Sequence, residues 1–353
     1  IQTDVPHHRP DLGPEIRQLP PKALERGGAA RSEDQPPPIL GERPGQRPAD
    51  PARRTRQKHD LISNLHGPQA TGPPSAAYGV ARSRPGRQNF MADAALRTLI
   101  FGRGWLGGQW AELTPGADCS AADIADSDAV DNALDQARPH RVVNAAGKTG
   151  RPNVDSLEGK PASTYRSNVV GPIVLASACR ERGIHMTHLG SGCIYGGDNR
   201  GAGFGEEDPP NFRGSLYARS KAAAEMGLRD FDVLQLRIRL PISERPHPRN
   251  LLTKLLGDSR VICVPNSVTV LEDAWPVAEA LVAKRATGVW NLVNDGVEQH
   301  DELLELYRRH VDPSHLYEIV DEAALHLKAG RSNCVLSTRK LHDAGLAMPP
   351  LEQ

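Results

Sequence analysis

From residue 98 onward, short apolar segments alternate with helical patterns, and this alternation limits the chain to few architectures. The predicted strands are TLIF (98–101), RVVN (141–144), MTHL (186–189), VLQLRI (233–238) and GVWNL (288–292). Between them lie helical stretches such as DSDAVDNALDQA, NVVGPIVLASACRERG and SLYARSKAAAEMGLRD. Strands that alternate with helices form a parallel sheet covered on both faces. We therefore predict an α/β fold with a doubly wound parallel sheet.

Residues 1–90 have a different composition from the rest of the chain. They hold 15 of the 30 prolines, with 14 Lys and Arg against 9 Asp and Glu, and show no apolar periodicity. Such a segment cannot bury enough apolar surface to offset its ordering entropy. The first methionine is Met91, and we predict that 1–90 is a non-native extension, upstream sequence translated in error, with Met91 as the natural start. One alternative is a genuine disordered tail. The other is a targeting peptide, which is disfavoured because the segment is neither acid-poor nor built around an apolar core.

The overall composition excludes several classes of function. The net charge is zero and only 4% of the residues are aromatic, so neither a nucleic-acid nor a membrane partner is indicated. No apolar run approaches the roughly 20 residues that span a bilayer. The five cysteines are widely spaced without a CxxC pair. This spacing argues against a disulfide scaffold or a metal site and predicts a cytoplasmic protein.

The first strand runs into the stretch FGRGWLGG, which has the spacing G-x-G-x-x-G. Glycine is needed first for a tight turn, next for close approach to a pyrophosphate, and last for packing of the helix on the strand. The alternative is an ordinary tight turn. Because the motif follows a strand and opens a helix, we predict dinucleotide binding. The cofactor turn comprises Gly102, Arg103, Gly104, Trp105, Leu106 and Gly107.

The identity of the dinucleotide depends on residues further along the chain. The acidic residue that would hold a ribose 2′-hydroxyl about 20 residues on has no clear candidate. Arg103 could instead meet a 2′-phosphate, so we predict NADPH, with NADH as the alternative. Asp123 is expected near the adenine. The stretch VVNAAG ends the next strand beside the cofactor, with Asn144, Ala145, Ala146 and Gly147 expected in contact with it.

A serine and a Tyr-x-x-x-Lys pair indicate chemistry at a carbonyl group. Tyr217 and Lys221 lie four residues apart in a predicted helix, so both project from one face. A nearby ammonium favours the phenolate and lowers the pKa of a tyrosine, which we expect here. Ser191 follows a predicted strand, where open α/β sheets bind ligands. Its hydroxyl can hydrogen-bond a substrate carbonyl while hydride arrives.

These motifs occur in the order found in extended short-chain dehydrogenases/reductases, which the chain resembles. The glycine turn, NAAG, YRSNVVG with Asn168, Ser191 and YARSK all take part in this resemblance. It implies a Rossmann fold that binds NAD(P)H. By the same resemblance Asn168 and Pro241 lie by the cofactor, and Lys221 holds the nicotinamide ribose.

Five further stretches resemble one group within this superfamily. They are NAAGKTGRPNVD, GFGEEDPPNFRGSLYARSK, LRIRLPIS, PRNLLTK and GRSNCVLSTRKL. The group is the bifunctional 3,5-epimerase/4-reductases that complete nucleotide-linked L-rhamnose synthesis. The resemblance covers about residues 98–345 and implies a UDP- or dTDP-linked 4-keto-6-deoxy-glucose as substrate. The glycine turn is one residue shorter than in this group, and the region of the second strand is compressed.

Epimerisation needs an acid–base pair beyond Ser191, Tyr217 and Lys221. The resemblance assigns this role to Cys193 and Lys254, with His247 as the reserve candidate. A free cysteine is commonly a buried core residue and a helix lysine is commonly solvated, and these are the alternatives. The predicted substrate contacts, each with a surface salt bridge as its alternative, are Arg151, Arg249, Asn250 and Arg331.

We predict three regions: the extension 1–90, a Rossmann domain 91–245 whose last strand returns near 288–293, and a mainly substrate-binding subdomain 246–353. The chain lacks the 4,6-dehydratase domain found in plant rhamnose synthases, so a separate dehydratase is expected to supply the substrate. The superfamily also implies a homodimer. Two rival functions stay open: a dTDP-4-dehydrorhamnose reductase without epimerase activity, and a non-catalytic subunit like the regulatory subunit of methionine adenosyltransferase.

Overall fold

The computed structural model describes residues 96–351, and the predicted extension 1–90 with its Met91 start lies outside them. Six parallel strands form one sheet in the order β2-β1-β3-β4-β5-β9. These strands are β1 (Thr98–Phe101), β2 (Ala117–Ser120), β3 (Arg141–Asn144), β4 (His185–Ser191), β5 (Val233–Ile238) and β9 (Gly288–Asn291). The predicted parallel sheet is confirmed.

Helices cover both faces of this sheet, and the burial pattern of the strands explains why. In β1, Ile100 packs into a core with Trp110 and Trp275, whereas Leu99 and Phe101 pack into a second core on the other face. Strands buried on both faces read as continuous apolar runs. The doubly wound α/β fold is therefore confirmed. The helices are α1 (Trp105–Leu113), α2 (Ser127–Ala137), α3 (Pro161–Tyr165), α4 (Gly171–Glu181), α5 (Leu216–Leu228), α6 (Leu251–Gly257), α7 (Leu271–Ala283), α8 (His300–His310) and α9 (Arg339–Asp343).

The strand order reverses between β1 and β3, since β2 pairs with one edge of β1 and β3 with the other. Open α/β sheets bind ligands outside the carboxyl ends of the strands at such a switch point. The compressed region noted in the sequence forms β2, and only α2 separates that strand from β3. The sheet described here therefore ends at β2 on this side.

Helices α3 and α4 are joined by a single π-helical turn, Arg166–Val170. Pro172 lies just beyond this turn, in the first turn of α4. A proline inside a helix has no N–H for the carbonyl four residues earlier, and its ring crowds that carbonyl. The carbonyl in question belongs to Asn168, so the widened turn relieves that crowding.

A smaller part of the structure contains two short parallel pairs of strands. Strand β6 (Pro241–Ile242) pairs with β8 (Thr269–Val270), and β7 (Arg260–Val261) pairs with β10 (Glu318–Ile319). Helices α6 and α8 share a separate apolar core with this region, formed by Leu251, Leu255, Val261, Val268 and Leu304. Short 3-10 turns cover Val154–Leu157, Gly192–Ile194 and Glu322–Leu325. Among the described residues no helix has the length and apolarity needed to cross a bilayer.

Candidate active site

The glycine turn after β1 forms an open cradle at the start of α1. Gly102 has a φ of +104°, and a Cβ there would lie 2.5 Å from the Ala146 nitrogen. A Cβ on Gly107 would lie 2.2 Å from the Gly102 carbonyl oxygen, so the helix packs directly on the turn. At Gly104 a Cβ would meet no atom within 4 Å, and no side chain caps the helix. This open space at a free helix N-terminus fits a pyrophosphate.

Arg103 lies over the end of β2, where the adenosine ribose of a dinucleotide is expected. Its Nη2 donates to the Cys119 carbonyl oxygen at 3.2 Å, and its side chain is exposed. The strand ends at Ser120, and the next carboxylate is Asp123. Asp123 accepts a hydrogen bond from Arg166 at 2.5 Å, which holds the pKa of its carboxyl below the usual value. A cation beside an uncharged strand end suits a 2′-phosphate, and NADPH as the preferred cofactor stays a prediction.

Asn144 and Asn168, both predicted to contact the cofactor, turn their side chains into the protein. Asn144 is fully buried, and its Oδ1 accepts from the Ala146 amide at 3.0 Å. The Asn168 Oδ1 accepts from the Lys148 amide at 2.7 Å, and its Nδ2 donates to the Lys148 carbonyl at 2.9 Å. The expected direct contact is therefore corrected for both side chains. They shape the 145–148 segment instead.

Ser191 and Tyr217 meet at the carboxyl end of β4. Ser191 is the last residue of that strand, and its Oγ accepts from the Cys193 amide at 3.1 Å. Tyr217 lies in the first turn of α5, which Ser215 caps by accepting from the Ala218 amide at 3.1 Å. The Ser191 side chain lowers the pKa of the Tyr217 phenol, which shows that the two groups lie close together. Both side chains line one cavity of about 700 Å³, a volume typical of small-molecule sites.

Burial has the largest effect on the pKa of Tyr217, and the expected lowering of this pKa by Lys221 stays a prediction. Burial raises the pKa of Tyr217 far above its usual value, and the nearby Cys193 raises it further. Ser191, Arg239 and Arg249 lower it. The phenol therefore holds its proton at neutral pH, which is the form that can donate to a substrate oxygen.

Lys221 is buried beneath the cavity, with 8% of its surface exposed. Its Nζ donates to the Leu189 carbonyl oxygen at 2.8 Å and lies 3.3 Å from His188 Nε2. Burial lowers the pKa of Lys221 to about 8, against an opposing effect from Glu225. The lysine is thus held by the end of β4 rather than by the tyrosine.

Cys193 and Lys254 line the same cavity as Ser191 and Tyr217. Cys193 follows β4 in a 3-10 turn, and Lys254 projects from α6. Burial and the neighbouring Arg249 lower the pKa of Lys254, whereas Cys193 raises it. The lysine therefore keeps its proton more readily when the sulfur is negative. The protonation of Lys254 is therefore coupled to that of Cys193 across the cavity.

Arg239 is a residue of this site that the sequence motifs did not reveal. It is 2% exposed, and its Nη1 donates to Cys193 Sγ at 3.0 Å. Its Nη2 donates to Asn266 Oδ1 at 2.5 Å and to the Ser332 carbonyl. Guanidinium groups only donate, so the sulfur is the acceptor in this contact. The available signal was a second charge in the otherwise apolar stretch LRIRLPIS.

The three predicted arginines lie on the cavity wall, and two of them are also engaged by protein groups. Arg249 donates to Thr149 Oγ1 and to the Gly150 carbonyl oxygen at 3.3 Å. Arg331 Nη1 donates to Asp155 Oδ1 at 2.7 Å, and this bond lowers the pKa of Asp155. Arg151 has an exposed side chain. A direct contact with substrate remains a prediction for all three.

Asn250 and His247 do not line the cavity. The expected substrate contact of Asn250 is corrected, because it is 2% exposed and its Nδ2 donates to the Ser243 carbonyl oxygen at 2.7 Å. Its Oδ1 accepts from the Leu252 amide at 3.2 Å and so caps α6. The His247 ring stacks on Trp105, with centroids 4.9 Å apart. Its Nδ1 accepts from the Arg249 amide, so the structure favours Lys254 over this reserve candidate.

The predicted residues thus fall into two groups. Those that line the cavity are Gly104, Trp105, Leu106, Ala145, Gly147, Arg151, Ser191, Cys193, Tyr217, Pro241, Arg249, Lys254 and Arg331. Those that lie behind its wall or beside it are Gly102, Arg103, Gly107, Asp123, Asn144, Ala146, Asn168, Lys221 and Asn250. The cavity therefore runs from the cofactor turn, past the serine, cysteine and tyrosine, to the arginines.

Comparisons with known proteins agree with this arrangement. Residues 81–258 match the model of the NAD dependent epimerase/dehydratase family. The bifunctional dTDP-4-dehydrorhamnose 3,5-epimerase/dTDP-4-dehydrorhamnose reductase of Arabidopsis thaliana is 37% identical over 267 residues, which cover 72% of this chain and 89% of that protein. A trifunctional UDP-glucose 4,6-dehydratase/UDP-4-keto-6-deoxy-D-glucose 3,5-epimerase/UDP-4-keto-L-rhamnose-reductase of the same plant is also 37% identical, but this chain spans only 39% of it.

Solved structures show the same fold. The crystal structure of the L780 UDP-rhamnose synthase from Acanthamoeba polyphaga mimivirus has a TM-score of 0.69 and 34% identity, and it covers 72% of this chain and 96% of that one. A dTDP-4-dehydrorhamnose reductase from Bacillus anthracis in complex with NADP has a TM-score of 0.63 at 19% identity, with coverages of 72% and 95%. The resemblance stated from the sequence motifs is confirmed. The chain belongs to the NAD dependent epimerase/dehydratase family.

Proposed function

We propose that this chain is a bifunctional 3,5-epimerase/4-reductase that converts a dTDP- or UDP-linked 4-keto-6-deoxy-D-glucose to nucleotide-linked L-rhamnose with NAD(P)H. The observation that carries the proposal is that Cys193 and Lys254 line the same cavity as Ser191 and Tyr217. A reductase that receives an already epimerised sugar needs only the serine and the tyrosine. The bifunctional plant relative, matched over most of its length, supports the assignment of both activities.

The epimerase half of the reaction depends on the acidity that the C4 ketone gives to C3 and C5. A base removes the proton from one of these carbons, and an acid returns a proton on the opposite face. The enolate formed between these steps carries its charge on the C4 oxygen, where Ser191 and the protonated Tyr217 can donate hydrogen bonds. Cys193, accepting from Arg239 at 3.0 Å, is placed as the base. Lys254 is then the acid.

In the reductase half, Tyr217 donates its proton to the C4 oxygen. The raised pKa of this tyrosine keeps the proton available at neutral pH. NAD(P)H, when bound along the glycine turn, supplies the hydride that C4 receives. The residues that would hold it are those of the turn around Gly104, with Arg103 beside the ribose and Pro241 in the wall near Tyr217. Lys221 stays beneath the site, tied to the end of β4.

The cavity beyond Lys254 would hold the nucleotide diphosphate. Arg151, Arg249 and Arg331 supply donors there, since a fixed guanidinium fork suits phosphate oxygens. Because 4-keto-6-deoxy sugars arise by 4,6-dehydration, a separate dehydratase acts before this enzyme.

We further propose that the protein is a cytoplasmic homodimer. All five cysteines are free, which suits a reducing compartment. Met226 on α5 is a 68% exposed apolar residue suited to an interface.

The proposal is tested by incubating the full chain with dTDP- and UDP-4-keto-6-deoxy-glucose in D2O, without NAD(P)H. We expect deuterium at C3 and C5, detected by NMR. Cys193→Ser should slow this exchange by about 10²- to 10⁴-fold, the usual contribution of a general acid–base group, and leave reduction of pre-epimerised sugar intact. Tyr217→Phe should stop reduction.

Two outcomes would contradict the proposal. If no deuterium enters the sugar while pre-epimerised substrate is reduced, the chain is a reductase alone. If neither activity appears with either nucleotide, a non-catalytic binding role replaces it. Size-exclusion chromatography with light scattering tests the homodimer independently.

A further inference from the structure

A buried chain of hydrogen bonds connects the turn after β3 to Lys221. The Ala146 amide donates to Asn144 Oδ1 at 3.0 Å. Asn144 Nδ2 lies 3.1 Å from His188 Nδ1, and His188 Nε2 lies 3.3 Å from Lys221 Nζ. Asn144 and His188 are 0% and 1% exposed. The proposed reaction gives no role to His188, which is a fully buried titratable group beside the active site.

The direction of this chain is fixed at its first member. A backbone amide only donates, so the Asn144 oxygen is the acceptor and its NH₂ group faces the histidine. That NH₂ group also only donates, so His188 Nδ1 accepts. Burial holds the pKa of His188 well below its usual value, and the ring is neutral. A neutral imidazole that accepts at Nδ1 carries its proton on Nε2, which points at Lys221.

The orientation of this hydrogen-bond chain determines whether the ammonium or the neutral amine of Lys221 fits at its end. An ammonium has three donors and no acceptor, whereas a neutral amine has one lone pair. Only the neutral amine can accept from His188 Nε2–H while it donates to the Leu189 carbonyl oxygen at 2.8 Å. Burial also favours the neutral form, since it lowers the pKa of Lys221 to about 8. Two groups near Lys221 oppose this effect, Glu225 on α5 and Cys193 beyond β4.

We propose that His188 is a positioning residue for Lys221, which fixes the amine in place and favours its unprotonated form through a chain whose direction is set by the Ala146 amide. The inference rests on the proposed function only in taking a nicotinamide dinucleotide as the ligand above Lys221. Its consequence is that the segment 145–147, which flanks that ligand, is connected to the protonation state of Lys221.

The test monitors the titration of Lys221 directly, by NMR of the full chain with ¹³C at the lysine ε carbons. The chain has nine lysines, and Lys221→Met identifies the signal by its loss. His188→Gln retains a donor near the position of Nε2, and His188→Asn retains only the group near Nδ1. We expect the Lys221 midpoint of His188→Gln to stay near that of the unmodified chain. His188→Asn should raise the midpoint by about one pH unit or more, a tenfold change in the protonation equilibrium.

A second variant reverses the direction of the hydrogen bonds without a substitution at His188. Asn144→Asp presents an oxygen to His188 Nδ1, so the ring proton moves there and Nε2 becomes an acceptor for an ammonium. We expect this variant also to raise the Lys221 midpoint. The control is His185→Gln in the same strand, whose ring Nε2 bonds the Ala286 carbonyl oxygen at 2.9 Å, away from the site. It should leave the midpoint unchanged.

Three results would overturn the inference. They are an unchanged midpoint in His188→Asn, an equal rise in His188→Gln and His188→Asn, and a rise of the same size in His185→Gln. Because the NMR titration needs no substrate, it succeeds or fails independently of the deuterium-exchange test. The pH dependence of NADPH binding, measured by fluorescence, should show the same order of variants if the dinucleotide lies above Lys221.

Discussion

Replacing the third glycine of the cofactor turn should damage folding and dinucleotide binding together. In Gly107→Ala the new Cβ would lie 2.2 Å from the Gly102 carbonyl oxygen, where ordinary contact begins at 3.4 Å. A backbone oxygen cannot rotate away, so α1 must move outward by about 1 Å. Overpacking of this kind costs about 1–3 kcal/mol of unfolding free energy. The same shift withdraws the α1 N-terminus from the pyrophosphate, and we expect NADPH affinity to fall about 10- to 100-fold.

Two neighbouring glycines give matched controls. At Gly108 a Cβ would meet no atom within 4 Å, and the residue lies inside α1. Gly108→Ala should therefore stabilise the fold by up to about 1 kcal/mol and leave NADPH affinity unchanged. Gly104 is equally open and has a φ of −82°, so Gly104→Ala should fold normally. Its methyl group would enter the space left for the pyrophosphate, and affinity alone should fall.

Urea unfolding gives the stability of each full-length variant, and fluorescence titration gives its NADPH dissociation constant. The steric account would be refuted if Gly107→Ala matched the unmodified chain in both measurements. It would also fail if Gly104→Ala lost as much stability as Gly107→Ala, because a Cβ at Gly104 meets no atom within 4 Å.

Three charged residues give further predictions. Glu225→Ala leaves Arg237 fully buried without its partner at 2.7 Å, so urea unfolding should show a loss of about 3–5 kcal/mol, and a loss below about 1 kcal/mol would contradict the importance of this pair. Lys221 has a pKa of about 8 in the folded chain and near 10.5 when unfolded, so unfolding takes up a proton between these pH values. The stability of the unmodified chain relative to Lys221→Met should therefore rise by about 3 kcal/mol as the pH increases across this window, and a flat difference would count against the buried lysine. Arg103→Ala should weaken NADPH binding more than NADH binding, and equal losses in the two dissociation constants would remove the 2′-phosphate contact.

Much of the fold could be predicted because its signals are local in sequence. Three of the five predicted strands, 98–101, 141–144 and 233–238, have the bounds that the structure gives them. The glycine turn, Ser191 and Tyr217 each belong to a short motif with a defined place in a strand or helix. Since the carboxyl ends of parallel strands share one edge of the sheet, predicting the strands also brought these residues together.

The rest of the site depends on contacts between residues distant in sequence. Arg239 reaches Cys193 from 46 positions away, and His188 reaches Asn144 across 44. Neither contact leaves a spacing that a motif could reveal. Side-chain direction was equally hidden: Asn144 and Asn250 stand in the predicted stretches but bond inward. The protonation state of Tyr217 depends mainly on burial, and burial cannot be read from Tyr-x-x-x-Lys.

The π turn at Arg166–Val170 has a consequence for how related chains are aligned. One extra residue in a helix rotates the residues before it by about 100° relative to the residues after it. In a relative with a regular α-helix at this point, an asparagine would contact the backbone at residue 148 only if the helix were one residue shorter. An alignment without a gap would then pair the wrong side chains throughout α3. Because Pro172 crowds the Asn168 carbonyl, we expect a proline at this position of a relative to mark the same widened turn.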